Sequence, residues 1–170
     1  MNTPPKIPMP VNEPVLSYAP GTRERAELKQ SLKDMGGRQI EIPVVVGGKE
    51  IRTGRTADAV MPHCHRHVLA KVHQAGPDEV AAAVAAARGA WREWSSASLA
   101  DRAAVFLKAA DLLATRRRAA VNAATMLGQS KTAYQAEIDA ACELIDFWRF
   151  NVHFARQILQ EQPIANSRGL

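Results

Sequence analysis

Four carboxylates recur along one stretch of the chain, at Glu137, Asp139, Glu143 and Asp146. They fall in the first half of residues 132–162, where Ile138, Ala141, Ile145, Trp148, Val152, Ala155 and Leu159 recur at three- and four-residue steps. That spacing predicts one long helix with its apolar residues on a single face. Glu143 and Asp146 flank Leu144 and Ile145, so at least one of them belongs near the edge of the buried stripe. A carboxylate in that position has two readings. It is either a solvated or ion-paired flank, or a fixed negative charge facing a ligand cavity.

The other residues capable of chemistry are fewer. His63, Cys64, His65 and His67 crowd into the run PHCHRH at 62–67 and raise the question of zinc. On a strand, however, the three histidines share one face and Cys64 takes the other, while a tetrahedral site usually draws ligands from separated elements. A polar strand face with no metal site is expected. Cys142 follows Ala141 inside the long helix, where a small buried thiol is expected rather than a nucleophile. Arg116, Arg117 and Arg118 form the one dense basic run, expected to be the solvated end of a helix. No glycine cluster opens a helix, and no serine nucleophile motif is present.

The elements that must position these groups follow from pattern. Six prolines between Pro4 and Pro20 make residues 1–21 an extended arm lying on a surface or a partner. Leu28, Leu32 and Met35 give residues 22–35 a narrow helical seam, ended by Gly36 and Gly37. Ile40 to Val46 read as strand, Gly47-Gly48 as a hairpin turn and Glu50 to Thr53 as its return; a further short strand runs from about Val68 to Val72. Helices follow from Gly76. Their predicted stripes are Val80, Val84, Ala87, Trp91 and Trp94, then Val105, Phe106, Ala109, Leu112 and Leu113 behind a Ser98–Asp101 capping box. Gly128 is the expected C-cap before the long helix, which Thr132 and Gln135 open and Pro163 closes.

Composition bounds the class. The 170 residues are 46% hydrophobic and 23% charged, which is globular, and only 5% aromatic, which leaves a core built of small residues. The net charge of +5, from 22 basic and 17 acidic residues, is spread along the chain without aromatic interleaving, so no nucleic-acid partner is expected. Two cysteines make no disulfide framework, and no stretch approaches a membrane span. A reducing, soluble compartment is expected, with cytoplasmic the default.

Four runs carry a resemblance. IPVVVGGKEIRTG at 42–54, HVLAKVHQA at 67–75, ADRAAVFLKAADLL at 100–113 and TMLGQSKTAYQAEIDAACELIDFWRFN at 125–151 stand in the order seen in aldehyde dehydrogenases. The last run resembles the branch of Δ1-pyrroline-5-carboxylate dehydrogenases, which oxidise L-glutamate γ-semialdehyde to glutamate with NAD in proline breakdown. The resemblance implies an α/β fold, of which this segment supplies a mostly α-helical part with an N-terminal β-hairpin and one further short strand. It implies an arm and short helix over 1–37, followed over 38–170 by the leading part of the NAD-binding domain. It also implies an aldehyde as substrate, homo-oligomerisation of the full-length enzyme, and catalysis by a cysteine thiolate that neither Cys64 nor Cys142 matches. The NAD-binding strands, the general base and the nucleophile would all lie beyond Leu170, so the chain alone is expected to be inactive. Glu143, in ACELIDF, matches a family glutamate on a helix lining the aldehyde pocket, which favours the cavity reading for that residue. The alternative expectation is a self-standing helical interaction module that uses Trp91, Trp94 and Trp148 as a partner surface.

Overall fold

A computed structural model describes residues 8–161. The earliest prolines, such as Pro4 and Pro5, and the expected stop at Pro163 lie outside them.

The extended arm leads into helix α1 (Arg23–Gly36) and five short strands: β1 (Ile40–Ile42), β2 (Val44–Val46), β3 (Lys49–Ile51), β4 (Thr56–Met61) and β5 (Cys64–His73). Helices α2 (Pro77–Ser96), α3 (Leu99–Leu112), α4 (Arg118–Gln129), α5 (Ala133–Ala136) and α6 (Glu143–Gln160) complete the chain. A π-helical turn, Leu113–Arg117, joins α3 to α4, and a second, Glu137–Cys142, joins α5 to α6. The predicted long helix is therefore continuous but changes its winding near the start.

β2 and β3 form a hairpin at the expected turn, with Gly47 and Gly48 both at positive φ. The expected strand from Ile40 to Val46 is split, because Ile40–Ile42 pairs with β5 instead. The separate three-stranded sheet has the order β1-β5-β4, with β1 parallel and β4 antiparallel to β5. β4 is an addition to the sequence reading, and β5 is longer than the Val68–Val72 segment. The sequence TADAVM holds two alanines and an aspartate, so it lacks the β-branched run that marks a strand and is held by its partner instead.

The core lies among the helices. Ala110 and Leu113 pack on Ala141 and Ile145, and Ala103 packs on Val152, so α3 lies along the long helix. Leu28, with Leu32 and Met35 beside it, packs on Ala123 of α4 as the predicted seam requires. Ala123, Ala136 and Ala141 are each 0% exposed, so the helices meet through methyl groups rather than large side chains.

Three expectations change. Val105 and Phe106 are exposed, because the buried face of α3 is the row Ala103, Ala110 and Leu113. α4 runs one residue past Gly128, and its C-cap is Ser130, which takes the left-handed conformation at φ 57°. Helix α2 buries no residue at all: its stripe forms, but Trp91 is 69% exposed and Val80 57%. Among the described residues, no helix is long and apolar enough to cross a membrane.

The contrast between the two stripes is measurable. Ile145→Ala should cost about 2–5 kcal/mol in urea unfolding, because it leaves a cavity among α3, α4 and α6. Trp91→Ala should change stability by less than about 0.5 kcal/mol, because its ring already meets solvent.

Candidate functional site

The four carboxylates have four different fates. Asp139 accepts from Lys131 Nζ at 2.7 Å on the surface. Glu137 is 0% exposed. Asp146 binds the extended arm. Glu143 is exposed and lines a groove, with no hydrogen bond or ion pair to any described residue.

Glu137 is the centre of a buried cluster. Arg118 reaches it through Nε at 3.2 Å and more closely through Nη2. Asn122 Nδ2 donates to its Oε2 at 2.8 Å, Tyr18 Oη donates at 2.7 Å, and the backbone N–H of Leu16 donates to Oε1 at 2.8 Å. Burial alone would push the Glu137 carboxyl up, but these donors outweigh it and hold it below the ordinary carboxylate range. Burial likewise works against the Arg118 charge and is outweighed by its two carboxylate partners, so Arg118 stays firmly protonated. Cys142 lies against the same pair, with Sγ 3.3 Å from Arg118 Nη2. Burial and the nearby Glu137 charge push its thiol up to about 11, so it is a protonated, packed thiol and no nucleophile near neutral pH.

The π turns bring this cluster together. Hydrogen bonds that close i to i+5 align residues five apart, as a straight α-helix cannot. Arg118 thereby follows Leu113 into the interior, and Cys142 follows Glu137. The expectation that Arg118 belongs to a solvated helix end is thus corrected: Arg116 and Arg117 are exposed, and Arg118 is 7% exposed.

The arm closes over this hub. Arg118 Nη1 donates to Glu13 Oε1 at 2.5 Å, and Arg149 Nη1 donates to Glu13 Oε2 at 2.6 Å. The Glu13 N–H and Asn12 Nδ2 both donate to the Asp146 carboxylate at 2.7 Å. Between the arm and α6 lies a groove of about 560 Å³, lined by Val15 on one side and by Glu143, Phe147, Phe150 and Phe154 on the other. A carboxylate beside aromatic faces is an arrangement suited to a cationic or amphipathic small molecule.

The histidine run contributes nothing to this groove. His63 lies in the β4–β5 turn, where its Nδ1 meets Ser130 Oγ at 2.7 Å, while Cys64 opens β5 and is exposed. Among the described residues, no three His, Cys, Asp or Glu side chains gather as a metal site. Glu137 and Arg118 stand out in the sequence only as one acid of the ladder and one end of a basic run, and Glu13, Tyr18 and Asn122 do not stand out at all. The five-residue spacing of Leu113 with Arg118 and of Glu137 with Cys142 is a signal for the pair alone, and nothing local marks Glu13, Tyr18 or Asn122.

A sequence model of the aldehyde dehydrogenase family matches residues 50–169. The chain is 50% identical over 163 residues to the mitochondrial Δ1-pyrroline-5-carboxylate dehydrogenase of Dictyostelium discoideum, covering 96% of this chain and 29% of that one. It is 48% identical over 154 residues to the mitochondrial enzyme of that name from Homo sapiens, covering 91% of this chain and 27% of the relative. Among solved structures, the Mycobacterium tuberculosis Δ-pyrroline-5-carboxylate dehydrogenase bound with NAD superposes with a TM-score of 0.93 at 50% identity, covering 98% of this chain and 31% of that one. The chain therefore spans less than a third of the length of the proteins it matches.

Removing the charge at the hub should be costly. Glu137→Gln leaves Arg118 with Glu13 as its one remaining carboxylate partner and should destabilise by about 2–3 kcal/mol in urea unfolding. Because the Glu137 pKa is depressed on folding, its contribution is present above the ordinary carboxylate pKa and is lost as pH falls through the lower folded value. Acid titration followed by circular dichroism should show wild-type stability falling below roughly pH 4, with a shallower acid slope in Glu137→Gln.

Proposed function

The chain belongs to the aldehyde dehydrogenase family, and from that premise we propose that it is part of an NAD-dependent L-glutamate γ-semialdehyde dehydrogenase of proline degradation. In this reading it is the N-terminal part of the enzyme. Residues 1–37 form an arm and helix, and residues 38–170 the leading part of the NAD-binding domain, inactive alone. The carrying observation is Glu143, an uncommitted carboxylate lining a groove with aromatic walls. A fixed negative charge there orients the substrate's ammonium group and so places the aldehyde for attack. The thiolate nucleophile and the general base are not among the residues of this chain in our reading, since Cys142 is packed against Glu137 and Cys64 lies on an exposed strand.

NAD supplies the hydride acceptor when bound, and in our reading the residues that hold it are not in this segment. A pyrophosphate needs free backbone donors at a helix start. Glu79 closes on the Gly76 N–H at 2.6 Å ahead of α2, Ser98 Oγ accepts from Asp101 N ahead of α3, and Thr132 with Gln135 closes the long helix. No step through NAD is assigned to this chain's residues. The full enzyme's homo-oligomerisation is part of the same proposal. Cytoplasmic placement is our reading, although the Dictyostelium and human relatives are named as mitochondrial proteins.

The second reading, a self-standing interaction module, draws on the bare stripe of α2. The two readings separate in solution. A segment of a larger enzyme should bind hydrophobic dye and yield no NADH from Δ1-pyrroline-5-carboxylate and NAD, whereas a module should melt cooperatively without binding dye. Detectable NADH from the purified chain would overturn the inactivity. In an assembled dehydrogenase carrying this segment, Glu143→Gln should lower kcat/KM roughly ten- to hundredfold, the worth of one hydrogen bond to a charged group. An unchanged kcat/KM would remove the orienting role.

A further inference from the structure

We propose that the extended arm, residues 12–18, is the length-selecting wall of the Glu143 groove, and that Glu13 is the positioning residue that sets its distance from α6. The inference rests on the reading of Glu143 as the group that holds the substrate's ammonium.

The arm has no secondary structure of its own, yet it is tied at four successive places. Asn12 and the Glu13 N–H are held by Asp146, and the Glu13 carboxylate lies between Arg118 and Arg149. Leu16 N–H and Tyr18 Oη are held by Glu137. Tyr18 keeps a left-handed backbone at φ 52°, a conformation a bulky side chain adopts only when its surroundings fix it. Its hydroxyl donates to Glu137 and accepts from Asn122 at 2.8 Å, and its carbonyl accepts from Arg25 Nη1 at 2.9 Å.

The anchors are placed in a telling way. Asp146 and Arg149 stand three and six residues after Glu143 on the same helix. The groups that fix the arm and the group that faces the ligand therefore share one rigid element. Val15 lies between the anchored Glu13 and Leu16 and presents its side chain to the groove opposite Phe147, Phe150 and Phe154. The gap between Val15 and these rings is set by charge-assisted bonds, which are short and resist stretching. A wall fixed in this way discriminates ligands by carbon count, since one methylene too many or too few in an apolar slot changes affinity about tenfold or more.

The test uses the 170-residue chain, 15N-labelled, titrated by NMR with four probes: L-glutamate, L-aspartate, L-2-aminoadipate and glutarate. Wild type should bind L-glutamate about tenfold more tightly than its shorter and longer homologues. Glu13→Gln should bring that ratio below about threefold while leaving the preference for L-glutamate over glutarate, which lacks the ammonium, in place. Asn12→Ala removes only one tie to Asp146 and spares the buried hub, so it decides the matter should Glu13→Gln fail to fold. Variants that keep the full length ratio overturn the wall. A wild type that selects by ammonium but not by length also overturns it and leaves the Glu143 reading standing. Selection by length without selection by ammonium does the reverse. A wild type that binds none of the probes overturns both.

Discussion

The structure depends on one buried ion pair. Arg118 and Glu137 come from different helices, and both lose water when those helices meet. Taking two charges out of water costs several kcal/mol each, and their attraction offsets this only when every remaining donor and acceptor finds a partner. Here the partners come from far away in sequence. Leu16, Tyr18 and Asn122 satisfy Glu137, while Glu13 and the carbonyl of Pro14 satisfy Arg118. The pair thus requires the arm, and the pair together with Asp146 and Arg149 fixes the arm's path. That mutual need turns a proline-rich segment into one side of a groove.

The helices that carry the pair meet through alanine methyls, which lets their backbones approach closely enough for Arg118 to span the gap. The two π turns complete the arrangement. Each inserts one residue into a turn, the first just ahead of the buried Arg118 and the second beginning at the buried Glu137. Such insertions cost hydrogen-bond geometry and are kept where they place a side chain that a regular helix could not.

Most of the scaffold was legible in the sequence because it obeys the ordinary periods. The seam Leu28, Leu32 and Met35, the Gly47-Gly48 hairpin, the Ser98 and Thr132 caps and the stripe through Ala141, Ile145 and Val152 all follow from spacing and cap chemistry. The resemblance to the family rests on the same runs and agrees with the matches found. The hub was not legible, for a physical reason. A reading that assumes 3.6 residues per turn places Arg118 with its two exposed neighbours and counts Glu137 as one more surface acid. The ties from Asn12, Glu13 and Leu16 span more than a hundred positions and leave no local pattern. Strand β4 escaped for the opposite reason, since its alanines carry no period and it exists because β5 offers a partner edge.

The alanine contacts carry a consequence for how this sequence can drift. Ala123, Ala136 and Ala141 have no exposed surface, so any larger side chain there must force two helices apart. Glycine, the one smaller alternative, weakens a helix interior by about 1 kcal/mol. These sites are closed in both directions. Substitution has room along the solvent-facing rows, but the interior spacing has almost none, and with it the span that a single guanidinium must bridge.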